Sequence, residues 1–218
     1  MSVKILSVLC GTVGLLAGCG TEGAVPLTQN QLTTTGFVDE SNISNSGVID
    51  IGLQNNVNSR VARTSPFSGS GYAIQTGGIP NEGLFAVAGL LPNTTVSPTP
   101  ISGTAFYTGS YNLIEINDIG ISGGVIRGTP ELRSEPLTLI ANFENDILVD
   151  DGGSDLAVNG TVNGSDIGGT VTYNGVQGNL DGLIGGNRAI GAFHGEGNVG
   201  PGTNDDYMYA GGFIANSN

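Results

Sequence analysis

The chain has 218 residues, 38 of them glycine, and sets 19 acidic side chains against 6 basic ones, a formal net charge of −13. Nucleic-acid binding needs a basic footprint to displace counterions, so that function class is excluded. The glycines lack the three-residue period of collagen and are interleaved with Val, Ile, Leu, Thr, Tyr and Phe, a pattern of strands, bends and tight turns.

Residues 1–18 read as an export signal. Lys4 precedes an apolar run from Ile5 to Leu16, which is too short to span a bilayer core of roughly 30 Å. The run ends in Leu16-Ala17-Gly18-Cys19, which resembles the lipobox of bacterial lipoproteins. The resemblance implies cleavage before Cys19 and acylation of that cysteine. Each buried acyl methylene is worth about 0.8 kcal/mol, so several chains anchor the protein firmly. Cys10 leaves with the signal, so no disulfide is available to the mature domain. Gly20 rather than Asp follows the cysteine, which points to the outer membrane or cell surface.

Residues 19–55 form the lipidated N-terminus and a polar, flexible tether rich in Thr, Asn, Ser and Gln, with a short strand expected at Val48–Ile51. Residues 56–100 form a short β segment, with candidate strands at 60–64, 71–75 and 84–88. Pro92, Pro98 and Pro100 mark a loop at its end. Residues 101–218 carry the densest strand signal. Thr104–Thr108 and Tyr111–Ile116 flank an expected turn at Gly109-Ser110, and Gly120–Arg127 is a further strand. Leu137–Phe143, Ile147–Val149, Leu156–Val162, Gly169–Tyr173, Gly178–Ile184, Ala189–His194 and Tyr207–Ala215 follow. Asn163-Gly164 and Asn174-Gly175 are tight-turn signals. Such an antiparallel meander closes naturally into an all-β, eight-stranded antiparallel barrel, which leaves no open edge; a β-sandwich is the alternative.

Several of these strands carry a family pattern. Ser102–Gly109 resembles the G-x-A-x-Y-x-G opening strand of the transferrin-binding-protein-like β-barrel surface lipoproteins, and Leu137–Phe143 resembles their L-x-x-D-F strand, with Asn142 at the Asp. Val158–Val162 with Gly169–Tyr173 resembles the family's central hairpin, and Ala192–Gly195 with Ala210–Phe213 its closing pair. The resemblance implies a lipid-anchored display barrel, with residues 56–100 as a reduced handle-like region. It also implies a ligand of the iron-carrier, haem-protein or complement-regulator type. The chain has one barrel where the transferrin receptors have two lobes, so the barrel carries over and the ligand does not.

Chemistry has little to stand on. His194 is the only histidine, no G-x-S-x-G motif occurs, and Cys19 is committed to lipid, so no enzyme is expected. Asp150, Asp151 and Asp155 surround a glycine turn and are the one candidate for a metal, as oxygen ligands to Ca²⁺, set against an ordinary solvated turn. The Gly- and acid-containing stretch Glu196–Asp206 is long for a hairpin loop and so a candidate partner site, set against a disordered loop tip. No cofactor is expected. The reading is a non-enzymatic surface binding protein for a protein or solute, with a structural envelope lipoprotein as the alternative and a lipocalin-like carrier third.

Overall fold

The computed structural model describes residues 33–51, 58–64, 70–79, 83–122, 125–198 and 206–218. Cys19 and the expected signal lie outside these residues. Among the described residues the only helical element is a short 3₁₀ turn, Glu40–Asn42, and no helix is long and apolar enough to cross a membrane.

The chain forms two sheets. The first contains β1 (Thr33–Phe37), β2 (Asn58–Thr64), β3 (Tyr72–Ile79) and β4 (Gly83–Leu90) in the order β1-β4-β3-β2, with β1 parallel to β4 and the other pairs antiparallel. The second is a closed barrel of eight strands: β5 (Thr104–Ser122), β6 (Val125–Asn142), β7 (Ile147–Asp150), β8 (Ala157–Asn163), β9 (Asp166–Tyr173), β10 (Val176–Ile184), β11 (Arg188–Asn198) and β12 (Asp206–Ser217). Each barrel strand pairs antiparallel with the next, and β12 closes onto β5.

Period-two alternation explains the closure. Along β10, Val176, Gly178, Leu180, Gly182 and Ile184 are buried and the residues between them are polar or half-exposed. The inward side chains, Tyr107, Tyr111, Leu113, Leu139, Val171, Phe193, Tyr209 and Phe213 among them, form one cluster that fills the barrel. An eight-stranded barrel is just wide enough to be filled in this way.

On β5, β11 and β12 the outer face is apolar too. Ile114, Ile116, Ile190, Ala192, Met208 and Ala210 face outward and pack with Tyr72, Ile74, Leu84, Ala86 and Ala88 of the small sheet. The Tyr72 ring lies over Gly212, where any Cβ would strike it, and its hydroxyl accepts a hydrogen bond from Asn112 Nδ2.

Several local expectations change. Thr33–Phe37, inside the expected tether, pairs along β4 as β1. Val48–Ile51 is not a strand but contributes Ile49 to a single bridge with Ile43. Gly109-Ser110 is not a turn: β5 runs straight through it. The glycine serves close approach, because a Cβ there would meet the Ile214 carbonyl of β12. Gly120–Arg127 is not a single strand, since its ends belong to β5 and β6. The β8–β9 turn falls on Gly164-Ser165, glycine first at φ 63, while Asn174 (φ 49) and Gly175 (φ 78) form the expected Asn-Gly turn. Glu196–Asn198 and Asp206 extend the β11–β12 ladder.

Candidate functional site at the long-loop end of the barrel

The two ends of the barrel differ. One is tied down. Residues 97–99, in the proline-marked loop, cross the β10–β11 turn, with Ser97 N donating to Asn187 Oδ1 (3.0 Å) and Asn187 N to Ser97 Oγ (2.9 Å). Thr99 Oγ1 donates to the Ile184 carbonyl (2.8 Å). From inside the barrel, Tyr107 Oη donates to the Gly185 carbonyl (2.9 Å).

The other end is lopsided. β5, β6, β11 and β12 have 19, 18, 11 and 12 residues and build a tall wall; β7, β8, β9 and β10 have 4, 7, 8 and 9 and build a low one. At about 3.4 Å per residue the seven residues of β8 span roughly 24 Å. The small sheet backs the tall wall from outside.

At the rim of the tall wall the inward row of β5 runs Tyr111, Leu113, Glu115, and facing it on β6 are Glu135, Arg133 and Glu131. Glu115 is 1% exposed, deep enough that its carboxylate requires partners. Arg133 Nε donates to Glu115 Oε1 (2.7 Å), and the other end of the guanidinium reaches Glu131 Oε2 (2.8 Å). Tyr207 Oη donates to Glu115 Oε2 (2.6 Å), and Asn174 Nδ2 reaches the same oxygen from the β9–β10 turn (3.4 Å). Around this network four tyrosines meet: Tyr111 edge-on to Tyr173 (6.4 Å), Tyr173 edge-on to Tyr209 (6.0 Å), and Tyr207 tilted against Tyr209 (5.9 Å).

Burial holds these phenols in the neutral form. Burial, followed by the bond to Glu115, holds Tyr207 far above the ordinary phenol range. Burial pushes Tyr111 up to about 12, with Tyr173, Asp155 and Glu135 adding to the effect. The Glu115 bond also raises Arg133 further.

The residues singled out in the sequence stand outside this network, the three aspartates at the same end of the barrel and His194 on its outer wall. Asp150 and Asp151 are at the end of β7 and in the loop after it. Asp150 accepts from Val158 N (2.6 Å) and Gly152 N (2.9 Å), and Asp151 from Gly153 N (2.9 Å). Asp155 is exposed in the same loop. Among the described residues no three His, Cys, Asp or Glu side chains gather as a metal site. His194 faces outward from β11 under the small sheet. Its ring meets Phe37 edge-on at 4.5 Å, Nδ1 has no hydrogen-bond partner, and burial pulls its pKa down to about 4.

The rim network was not foreseen, although a signal was present. Glu115 falls on the inward parity set by Tyr111 and Leu113, where a charge needs a reason. Tyr207 could be found only by knowing that β12 closes onto β5.

The closed barrel with a small sheet on its outer wall defines the class by architecture: an eight-stranded antiparallel barrel carrying an external four-stranded sheet. No family model matches the sequence, and no curated protein matches it. Among solved structures, the chain is similar to HpuA from Kingella denitrificans in complex with human haemoglobin, at TM-score 0.39 and 16% identity, covering 75% of this chain and 66% of that one. It is also similar to the apo haemoglobin receptor HpuA from the same organism, at TM-score 0.34 and 14% identity, covering 84% and 71%. A third is intact Ap-TbpB with its N and C lobes, at TM-score 0.36 and 12% identity, covering 73% of this chain and 39% of that one.

Proposed function

We propose that the protein is a non-enzymatic, lipid-anchored surface binding protein that presents the long-loop end of its barrel to a protein partner. The supporting observation is the asymmetry of the ends. Residues 97–99 tie down the β10–β11 turn at one end, while the other combines a tall, externally buttressed wall with the 151–156 loop and the Asn174-Gly175 turn. Binding elements are commonly loops held on a rigid scaffold. A packed interior leaves the ends and outer wall, not the lumen, as the contact surface. The reading places attachment at Cys19, in the cell-surface or outer-membrane leaflet.

Two experiments test it. Human haemoglobin and transferrin are the first probes, followed by cross-linking to cell-surface extracts with the attachment sites mapped by mass spectrometry. Cross-links clustered on 127–135, 151–156 and 174–175 are expected; cross-links clustered on the tied-down end would overturn the reading. Labelled palmitate is expected to enter the wild-type chain and not Cys19→Ala, and equal labelling of both would remove the anchor.

A further inference from the structure

The tall wall ends in an unfinished edge. β6 has 18 residues, but β7 pairs only with Leu139–Asn142. Asp151 N donates to the Thr138 carbonyl (3.1 Å), which fixes the direction of the backbone: the polar groups of even-numbered residues point away from β5. Gly128, Pro130, Leu132, Ser134 and Pro136 therefore point their backbone groups away from β5, and no described strand lies on that side to bond them. The two prolines fit this parity, because neither has an N–H to give to β5. Every residue from Thr129 to Pro136 is exposed.

We propose that this edge accepts an extended, basic segment of a partner protein as an added strand. The inference rests on the surface-binding reading and specifies its chemistry. The stretch Pro130–Pro136 offers N–H donors at Leu132 and Ser134 and carbonyl acceptors at Pro130, Leu132, Ser134 and Pro136. Main-chain bonding of this kind supplies affinity, while alternate side chains supply selectivity. On the inner face the incoming strand lies beside Glu131 and Glu135, near the 151–156 loop with Asp151 and Asp155. The cation on that stretch, Arg133, is already paired with Glu115 and Glu131. Lys or Arg at alternate positions of the partner meets that face. On the outer face half-exposed Leu132 takes an apolar neighbour.

A second copy of the chain is a poorer occupant. It brings another net charge of −13 and the same two prolines, each of which removes a donor from the shared ladder. The prolines thus blunt the edge against sheet growth and leave a window only a few residues long.

The test uses the full-length chain and a capped nine-residue peptide of alternating Lys and Val, with amide hydrogen exchange as the main readout. Bound peptide slows exchange at Leu132 and Ser134 by about tenfold or more. Leu132→Pro, which removes an outward donor and no bond to β5, weakens binding by about tenfold. Because that variant could perturb the hairpin, a second probe carries N-methyl groups on alternate amides along one edge, in the two possible phases. One of the two is expected to lose binding to the unaltered chain. Glu135→Gln is expected to weaken binding and flatten its salt dependence. Absence of peptide binding, binding without slowed exchange at these two amides, or equal binding of both methylated forms would overturn strand addition. Protection that rises with protein concentration alone would assign the edge to a second copy and overturn it equally. None of these failures touches the surface-binding reading, which the cross-link map decides separately.

Discussion

Glu115 shows how a single side chain organises the rim. At 1% exposure its carboxylate is held by Arg133 and Tyr207, with Asn174 at longer range. Removing one partner leaves a buried charge short of a donor, which costs more than an average hydrogen bond. Tyr207→Phe keeps the ring and its packing and deletes only the donor, so it is expected to lower stability by about 2 kcal/mol, read from the urea midpoint at unchanged slope. An unmoved midpoint would mean that Arg133 and Asn174 suffice. His194 makes the complementary case. Its pKa falls from 6.5 unfolded to about 4 folded through burial. Between those values the unfolded chain binds more protons, so its contribution is complete above about pH 6.5 and is lost as pH falls towards 4. The full loss is about 3 kcal/mol. Asp181, whose pKa burial raises, works in the opposite sense, favouring the fold at low pH and losing that as pH rises. The two are separated by comparison: the stability of His194→Leu, measured from pH 7.5 to 4.5, is expected to fall less than that of the wild type. Parallel profiles would show that His194 keeps its ordinary pKa in the fold.

Among the elements, the close approaches of strand to strand were the least legible in sequence. Glycine beside serine at 109–110 has turn chemistry, yet both residues lie inside a 19-residue strand, because the neighbouring β12 backbone leaves no room for a Cβ at Gly109. Local propensity cannot register a neighbour about a hundred residues away. Where the turn needs only local backbone conformation, as at Asn174-Gly175, the sequence reading was right. The parity of the barrel strands was also legible, because β8 and β10 alternate regularly. The outer faces of β11 and β12 were not, since their burial depends on a sheet formed earlier in the chain. Gly212 is where that junction is tightest: alanine there places its Cβ in the Tyr72 ring and near the Gly191 carbonyl. Gly212→Ala is expected to cost about 1–3 kcal/mol. Limited proteolysis should then cut first between the small sheet and β5, in the 91–103 connection. Wild-type resistance there would show that Tyr72 can move aside.

For the molecule as a whole, the question is whether the small sheet and the barrel are one cooperative unit. Tyr72, Ile74, Leu84, Ala86, Ala88 and Leu90 share a single cluster with Ile114, Ile116, Ile190, Ala192, Met208 and Ala210. β1 is placed by β4 rather than by its sequence neighbours. The outward row of β5, β11 and β12 would be an exposed apolar patch if the sheet came away. Such a patch is costly in water, which strongly favours staying docked. Two units that bury each other in this way should melt together, with equal calorimetric and van't Hoff enthalpies. Ile114 lies on that shared surface, fully buried, on the outer face of a barrel strand. Ile114→Ala removes contacts to the small sheet while leaving the barrel interior intact, and is expected to cost about 2–4 kcal/mol. If the two sheets are one unit, the variant lowers a single transition, and exchange in β3 and in β10 accelerates by the same factor. If they are separate, β3 opens early while β10, held in the barrel between β9 and β11, keeps its protection. That second outcome would make the small sheet a detachable cover over β5, β11 and β12, and the buttress of the tall wall a conditional one.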